Sequence, residues 1–270
     1  MIFERIPLEI NGYHAYMDAY IMDRPGAFDG MLVIPGGGYY GVCSDREGEP
    51  IAMAFQAHGR NCFVLHYSVR SETDAVFPQQ LIEASLAMQY IRNHAEKFHI
   101  NPNRVFVVGF SAGGHLAGSL GTLWHLPEVT AAIGDASGVN RPTGMLLCYA
   151  VLTAIAPDAH EGSIYNLFGT EHPTDTQRAL AALEQHVDDR TAPAFLMHTV
   201  ADRTVPVQNA LRMAGALTAA GVPYELHIYP NGPHGVALSN FITSGGNPEL
   251  ADPAVALWVD HAVYWMDHLA

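Results

Sequence analysis

Positive charge is scarce in this chain. Only 13 Lys and Arg stand against 27 Asp and Glu in 270 residues, for a formal net charge of −14. Binding to nucleic acid needs clustered cations to neutralise phosphates, and a polybasic membrane signal needs the same. Both partner classes are therefore set aside. Cysteine is sparse as well: Cys43, Cys62 and Cys148 are an odd, widely separated set with no C-x-x-C pair, so neither a disulfide framework nor a thiolate metal site is expected. Buried, reduced thiols in a reducing cytoplasm are the expectation. No stretch approaches the roughly 18 to 20 apolar residues of a membrane span. The opening Met1-Ile2-Phe3-Glu4-Arg5-Ile6-Pro7-Leu8-Glu9 has acidic residues where a signal peptide would be apolar. A cytoplasmic protein with no membrane partner follows as the expectation.

What is abundant is apolar material. The hydrophobic fraction is 49% and the charged fraction 15%, which suits a globular core and not a disordered chain. No repeat, low-complexity tract or linker divides the sequence, so one domain over residues 1–270 is expected.

Short β-branched or aliphatic runs recur at 30–34, 62–67, 104–108, 145–149, 194–198 and 224–229. Continuous apolar runs of this length predict strands covered on both faces. Helical patterns lie between them. Leu81, Ala84, Met88, Ile91, Ala95 and Phe98 fall on one face at spacings of three and four, and a second helix is predicted from Asn209 to Ala220, closed by Gly221 and Pro223. Asp252 and Pro253 read as the cap and first turn of a C-terminal helix that aligns Ala254, Trp258, Ala262, Trp265 and Leu269. Strands alternating with helices predict an α/β fold: a mostly parallel central sheet with helices on both faces. The patchier stretch from Phe3 to Asp23 is expected to add an antiparallel N-terminal edge. Residues 155–190 separate two strands by more than an ordinary loop, with a short helix near Gln177 to His186, and are expected to form a small lid insertion.

The chemistry is carried by Gly109-Phe110-Ser111-Ala112-Gly113, a G-x-S-x-G pattern that follows Val105-Phe106-Val107-Val108 directly and precedes a predicted helix from Gly114 to Leu123. The pattern alone is loose; the strand-turn-helix setting gives it weight. A nucleophile on so tight a turn takes a strained backbone, and its neighbours two positions away must be nearly free of side chain. Neither phosphate-loop pattern is present at this turn.

A serine hydroxyl needs a base within hydrogen-bond reach and an acid that orients the base. Among fifteen histidines, His234 stands in Asn231-Gly232-Pro233-His234-Gly235, a turn just beyond the predicted strand ending at Tyr229. Asp202 leaves the end of the predicted strand Ala194 to His198; Asp158, Asp188 and Asp189 compete with it but follow no strand so directly. Both positions belong at the C-terminal edge of a parallel sheet, where active-site loops gather. Pro35-Gly36-Gly37-Gly38-Tyr39-Tyr40 leaves another strand, and its glycines let backbone N–H groups approach a developing oxyanion.

Together these residues resemble the α/β-hydrolase superfamily, and more narrowly the small esterases related to hormone-sensitive lipase and the acetyl-xylan-esterase-like group, over about residues 30–234. The resemblance implies Ser111, Asp202 and His234 as catalytic residues, and N–H groups of Gly37, Gly38 and Ala112 as the oxyanion hole. Pro35 stands where many lipase-like members have histidine, a version closer to the sugar-ester deacetylases. A small-molecule ester with a short acyl group, acetyl on a carbohydrate foremost, is the expected substrate, with no cofactor and no metal. Tyr39, Tyr40 and Ser44 are candidate substrate-binding residues, although loop packing explains each equally well. The resemblance allows a homodimer, for which no residue speaks. Two other functions compete: cleavage of a formamide by the same triad, and a catalytically inactive hydrolase fold acting as a ligand-binding module.

Overall fold

The computed structural model describes residues 1–269. Eight strands form one sheet: β1 (Ile2–Ile10), β2 (Tyr13–Ile21), β3 (Phe28–Ile34), β4 (Arg60–His66), β5 (Ile100–Phe110), β6 (Met145–Cys148), β7 (Ala194–Thr199) and β8 (Tyr224–Tyr229). Their spatial order is β1-β2-β4-β3-β5-β6-β7-β8. The expected N-terminal edge is a hairpin whose β2 runs antiparallel to both β1 and β4, while every pair from β4 through β8 is parallel. This is the α/β-hydrolase fold.

The helices are α1 (Ser44–Glu47), α2 (Glu49–Ala57), α3 (Gln79–Asn93), α4 (Ala112–Thr122), α5 (Pro127–Ile133), α6 (Glu161–Phe168), α7 (Asp175–Ala181), α8 (Gln208–Ala220), α9 (Pro253–Ala256) and α10 (Trp258–His268). They cover the sheet on both sides, which is why the central strands read as unbroken apolar runs. One core layer joins Leu81 and Met88 of α3, Leu116 and Leu120 of α4 and Met213 and Leu217 of α8 to Leu32, Val107 and Leu196. The other joins Ile51 and Phe55 of α2 and Trp258, Ala262 and Trp265 of α10 to Val33, Val108 and Met197.

Three helix boundaries differ from the sequence pattern. Helix α3 ends at Asn93, so Ala95 and Phe98 lie in the turn beyond it, where Phe98 is still buried against Phe63. The serine helix begins at Ala112, two residues before the expected Gly114. The C-terminal helix is interrupted at Leu257; Ala254 is exposed, and Val255 takes the buried position. Asp252 does cap it, accepting the Ala254 and Val255 N–H groups.

Strand order positions the site. After β3 the chain crosses to β4 on one side and returns to β5 on the other, so the loops leaving β3 and β5 part in opposite directions. A crevice opens at their C-terminal ends, as in other open parallel sheets. Loops from β7 and β8 reach the same edge.

Candidate active site

Ser111 occupies the turn between β5 and α4 with φ 54° and ψ −119°. A non-glycine residue in that region is strained by about 1 to 3 kcal/mol, and persists only where its surroundings enforce it. Here three backbone bonds do so: Ser111 N–H donates to Cys148, and the Ser111 carbonyl accepts from His115 and Val151. The turn also needs Gly113, because a Cβ there would stand 2.2 Å from the Ile34 carbonyl oxygen and 2.3 Å from that of Pro35. Helix α4 and the end of β3 therefore touch backbone to backbone.

The structure brings Ser111, His234 and Asp202 together. His234 Nε2 lies 2.8 Å from Ser111 Oγ, and its Nδ1 lies 2.7 Å from Asp202 Oδ2. Asp202 Oδ1 accepts the N–H groups of Thr204 and Val205, each at 2.9 Å. Burial opposes ionisation of this carboxyl, but the His198 and His234 rings and the Val205 N–H outweigh burial and hold its pKa well below the usual carboxylate range. Asp202 is thus a charged acceptor at neutral pH, and His234 Nδ1 must be the donor to it. Nε2 is then free to accept from the serine hydroxyl.

Of the competing carboxylates, Asp158 pairs with Arg212 and Asp188 with Arg190, while Asp189 is exposed. None of the three bonds to His234.

The loop after β3 faces the serine. Gly37 and Gly38 have φ of 128° and 65°, a region open to glycine and costly for other residues. Among the described residues, no protein acceptor receives the N–H groups of Gly37, Gly38 or Ala112. Ala112 starts α4, so its N–H has no partner within the helix. The loop is braced internally by Tyr40 and Gly41 N–H donating to the Gly37 carbonyl.

The other three candidates separate. Tyr39 lies in the core, 1% exposed, with its hydroxyl 2.8 Å from His115 Nδ1. It packs under the loop and offers no surface to a ligand, so its expected role in substrate binding gives way to a structural one. Tyr40 points outward and is 62% exposed. Ser44 opens α1 and is partly buried.

Segment 155–190 covers the loop from outside. Asn166 of α6 donates to the Gly38 carbonyl at 2.9 Å, and His160 bonds Ser163 at 2.8 Å on the same helix. Burial and the neighbouring His234 lower the pKa of His160. The segment is tied down by Arg178, which grips Glu161 and the Ala154 carbonyl, and by Thr153 donating to Glu184. Beside His234 lies a cavity of about 640 Å³, lined by Ala201, Arg203, Thr204, Asn231, Pro233 and Asp252 among others. Two residues that touch this site were not singled out by pattern: Glu47, in the charged run Asp45-Arg46-Glu47-Gly48-Glu49, and Tyr149, at the end of an apolar strand. Neither matches a motif, so only their burial reveals them.

The BD-FAE family model matches residues 17–217, most of the chain, from within β2 through β7. The chain belongs to the BD-FAE family. Among curated relatives it is 37% identical to endo-1,4-beta-xylanase B of Butyrivibrio fibrisolvens over 85% of this chain and 36% of that protein. It is 30% identical to the acetylxylan esterase of Xylanibacter ruminicola over 82% of this chain and 43% of that protein. The chain therefore spans well under half the length of these relatives. Two solved structures match over nearly their full length. The acetyl ester-xyloside bifunctional hydrolase of Caldicellulosiruptor lactoaceticus superposes with a TM-score of 0.83 at 33% identity, covering 98% of this chain and 95% of that one. The carboxylesterase Cest-2923 of Lactobacillus plantarum gives 0.87 at 25% identity, covering 100% and 99%. Among the described residues no helix of this BD-FAE member is long and apolar enough to cross a membrane.

Proposed function

We propose that this chain is a serine carboxylesterase that removes short acyl groups, acetyl on a carbohydrate foremost, through an acyl-enzyme on Ser111. The observation that carries the reading is the unbroken chain from Ser111 Oγ through both ring nitrogens of His234 to the buried charge of Asp202, at 2.8 and 2.7 Å. In the first step Ser111 Oγ attacks the ester carbonyl while His234 Nε2 takes its proton. Asp202 stabilises the imidazolium, and the oxyanion is received by the N–H groups of Gly37, Gly38 and Ala112. His234 then protonates the departing alcohol. Water enters, gives a proton to the same nitrogen, and attacks the acyl carbon; collapse returns the proton to Ser111 and releases the acid.

The substrate class rests on two supports. The relatives of this chain include proteins named for acetylxylan and acetyl-ester hydrolysis. The cavity that reaches His234, though not Ser111 or the oxyanion glycines, leaves room for the alcohol part of a small ester beside the group that protonates it. Segment 155–190 serves in this reading as the wall over the acyl side. The test compares kcat/KM on acetylated xylo-oligosaccharides, p-nitrophenyl acetate and N-formylkynurenine. Esters are expected to lead; a preference for the formamide by orders of magnitude would overturn the ester assignment.

A further inference from the structure

Beneath the site lies a carboxylate that the mechanism above does not use. Glu47, the last residue of α1, is 2% exposed. Its Oε2 accepts the Gly36 N–H at 2.8 Å, at the root of the oxyanion loop. Its Oε1 accepts the Tyr149 hydroxyl at 2.8 Å. That hydroxyl in turn accepts the Ala237 N–H at 3.0 Å, three residues past His234 in the loop that carries the base. The Tyr149 ring stands edge-on to the His234 ring, with centroids 5.2 Å apart. The preceding residue, Arg46, reaches the same loop by donating to the Gly235 carbonyl at 3.2 Å.

Burying a carboxyl is costly, and a fold keeps one only where its oxygens are satisfied. Burial raises the pKa of Glu47, against bonds from Tyr149 and Gly36 that favour the charged form. Burial and Glu47 together keep Tyr149 protonated and able to donate. The Gly36 carbonyl is held as well, by the Cys43 N–H at 2.9 Å. That carbonyl shares a peptide plane with the Gly37 N–H, so fixing Gly36 at both ends aims the Gly37 donor.

We propose that Glu47 is a positioning residue of the Ser111 site: one buried carboxylate that anchors the oxyanion loop through Gly36 and the His234 loop through Tyr149 and Ala237, holding donors and base in one geometry. The proposal rests on the Ser111 reading above. It makes a definite statement about Glu47→Gln. Two donors face the two carboxylate oxygens, whereas an amide offers one acceptor and one donor group. With its NH2 toward Gly36 the amide opposes a donor and loses that arm; with its NH2 toward Tyr149 the hydroxyl must turn from donor to acceptor, which leaves its buried proton without the Glu47 oxygen and replaces a charged contact by a neutral one. Tyr149→Phe removes only the arm to the His234 loop.

The experiment measures phosphonylation by a p-nitrophenyl alkylphosphonate, whose attack by serine passes through the same oxyanion hole, and separates reversible binding from the bond-forming rate. Folding of each variant is checked by circular dichroism and thermal melting, with rates taken well below the melting range. In Glu47→Gln the bond-forming rate is expected to fall about 10- to 100-fold, with the binding constant within about threefold of wild type. Tyr149→Phe is expected to fall by about tenfold. A purely structural role would lower the melting temperature and leave the bond-forming rate of the folded protein unchanged. A wild-type rate in either variant, once folded, overturns the proposal; if Glu47→Gln does not fold, Tyr149→Phe decides. Absence of label on Ser111 in the wild type removes the Ser111 reading and this one with it, an outcome distinct from a labelled wild type and equally labelled variants.

Discussion

Replacing Asp202 by Asn changes one atom and should disable the base without disturbing the fold. The buried Asp202 carboxylate spends Oδ1 on the Thr204 and Val205 N–H groups and Oδ2 on His234 Nδ1, with His198 Nε2, which bonds the Val205 carbonyl, farther from Oδ2 at 3.6 Å. An Asn at this position has to choose an orientation. With its NH2 at the Oδ1 position it would face two backbone donors, leaving both unsatisfied at about 1 to 3 kcal/mol each. The amide oxygen therefore stays at that position, and the NH2 points at His234. Nδ1 must then accept, which moves the ring proton to Nε2, facing Ser111. A protonated Nε2 cannot take the serine proton. Loss of the correct tautomer is expected to cost about 10⁴ in kcat, or about 5 kcal/mol of transition-state stabilisation. KM should change little, because Asp202 is buried behind His234. The assay is steady-state hydrolysis of p-nitrophenyl acetate at neutral pH, with circular dichroism to confirm the fold. A folded Asp202→Asn protein with kcat within about tenfold of wild type would refute the tautomer argument.

Three further outcomes test other links in the account. Gly113→Ala forces a methyl against the Ile34 and Pro35 carbonyl oxygens, and relief requires about 1 Å of separation between α4 and the oxyanion loop; kcat is expected to drop on the order of 10²-fold, and an active variant would show that this backbone contact does not set the site. His115 is buried with Nε2 facing the Ala181 carbonyl and Nδ1 the Tyr39 hydroxyl, and burial lowers its pKa from 6.5 to about 4. The neutral ring's contribution to stability is complete above the unfolded value of 6.5 and is lost as pH falls toward 4. Relative to His115→Gln, which does not titrate, urea unfolding of the wild type should therefore lose on the order of 3 kcal/mol across that window, and parallel pH profiles would contradict it. Trp258 is fully buried against Phe55 and Phe110 and donates to the Ala237 carbonyl, so Trp258→Ala is expected to lower unfolding free energy by about 3 to 5 kcal/mol in denaturant titrations, whereas a loss under about 1 kcal/mol would mean the core refills.

The parts of this molecule that were legible in its sequence are those where one physical requirement acts along the chain. Strands β3 to β7 had to be apolar on both faces, so each appeared as an unbroken run. The serine turn sits at a strand end and needs small neighbours, so it appeared as a pattern with a setting. Asp202 and His234 could be expected near Ser111 because strand ends on a parallel sheet share an edge. Segments in which contacts distant in sequence decide the outcome were not legible. Tyr39 follows the glycine run and reads as a pocket residue, yet His115, 76 positions away, draws its hydroxyl into the core. Glu47 sits among other charges and reads as solvated surface, yet Gly36 and Tyr149 give it a buried place. Ala254 fits the helical spacing, but the break at Leu257 rotates Val255 inward instead.

The most direct test of the account is to look for the covalent intermediate. Turnover of p-nitrophenyl acetate is quenched in acid within the first catalytic cycle, and the peptides are mapped by mass spectrometry. One acetyl group is expected on the peptide that contains Ser111, localised to its oxygen, and Ser111→Ala is expected to lose both the adduct and the turnover while keeping its fold. An acetyl group on a different residue, or hydrolysis by folded Ser111→Ala at a substantial fraction of the wild-type rate, would contradict it.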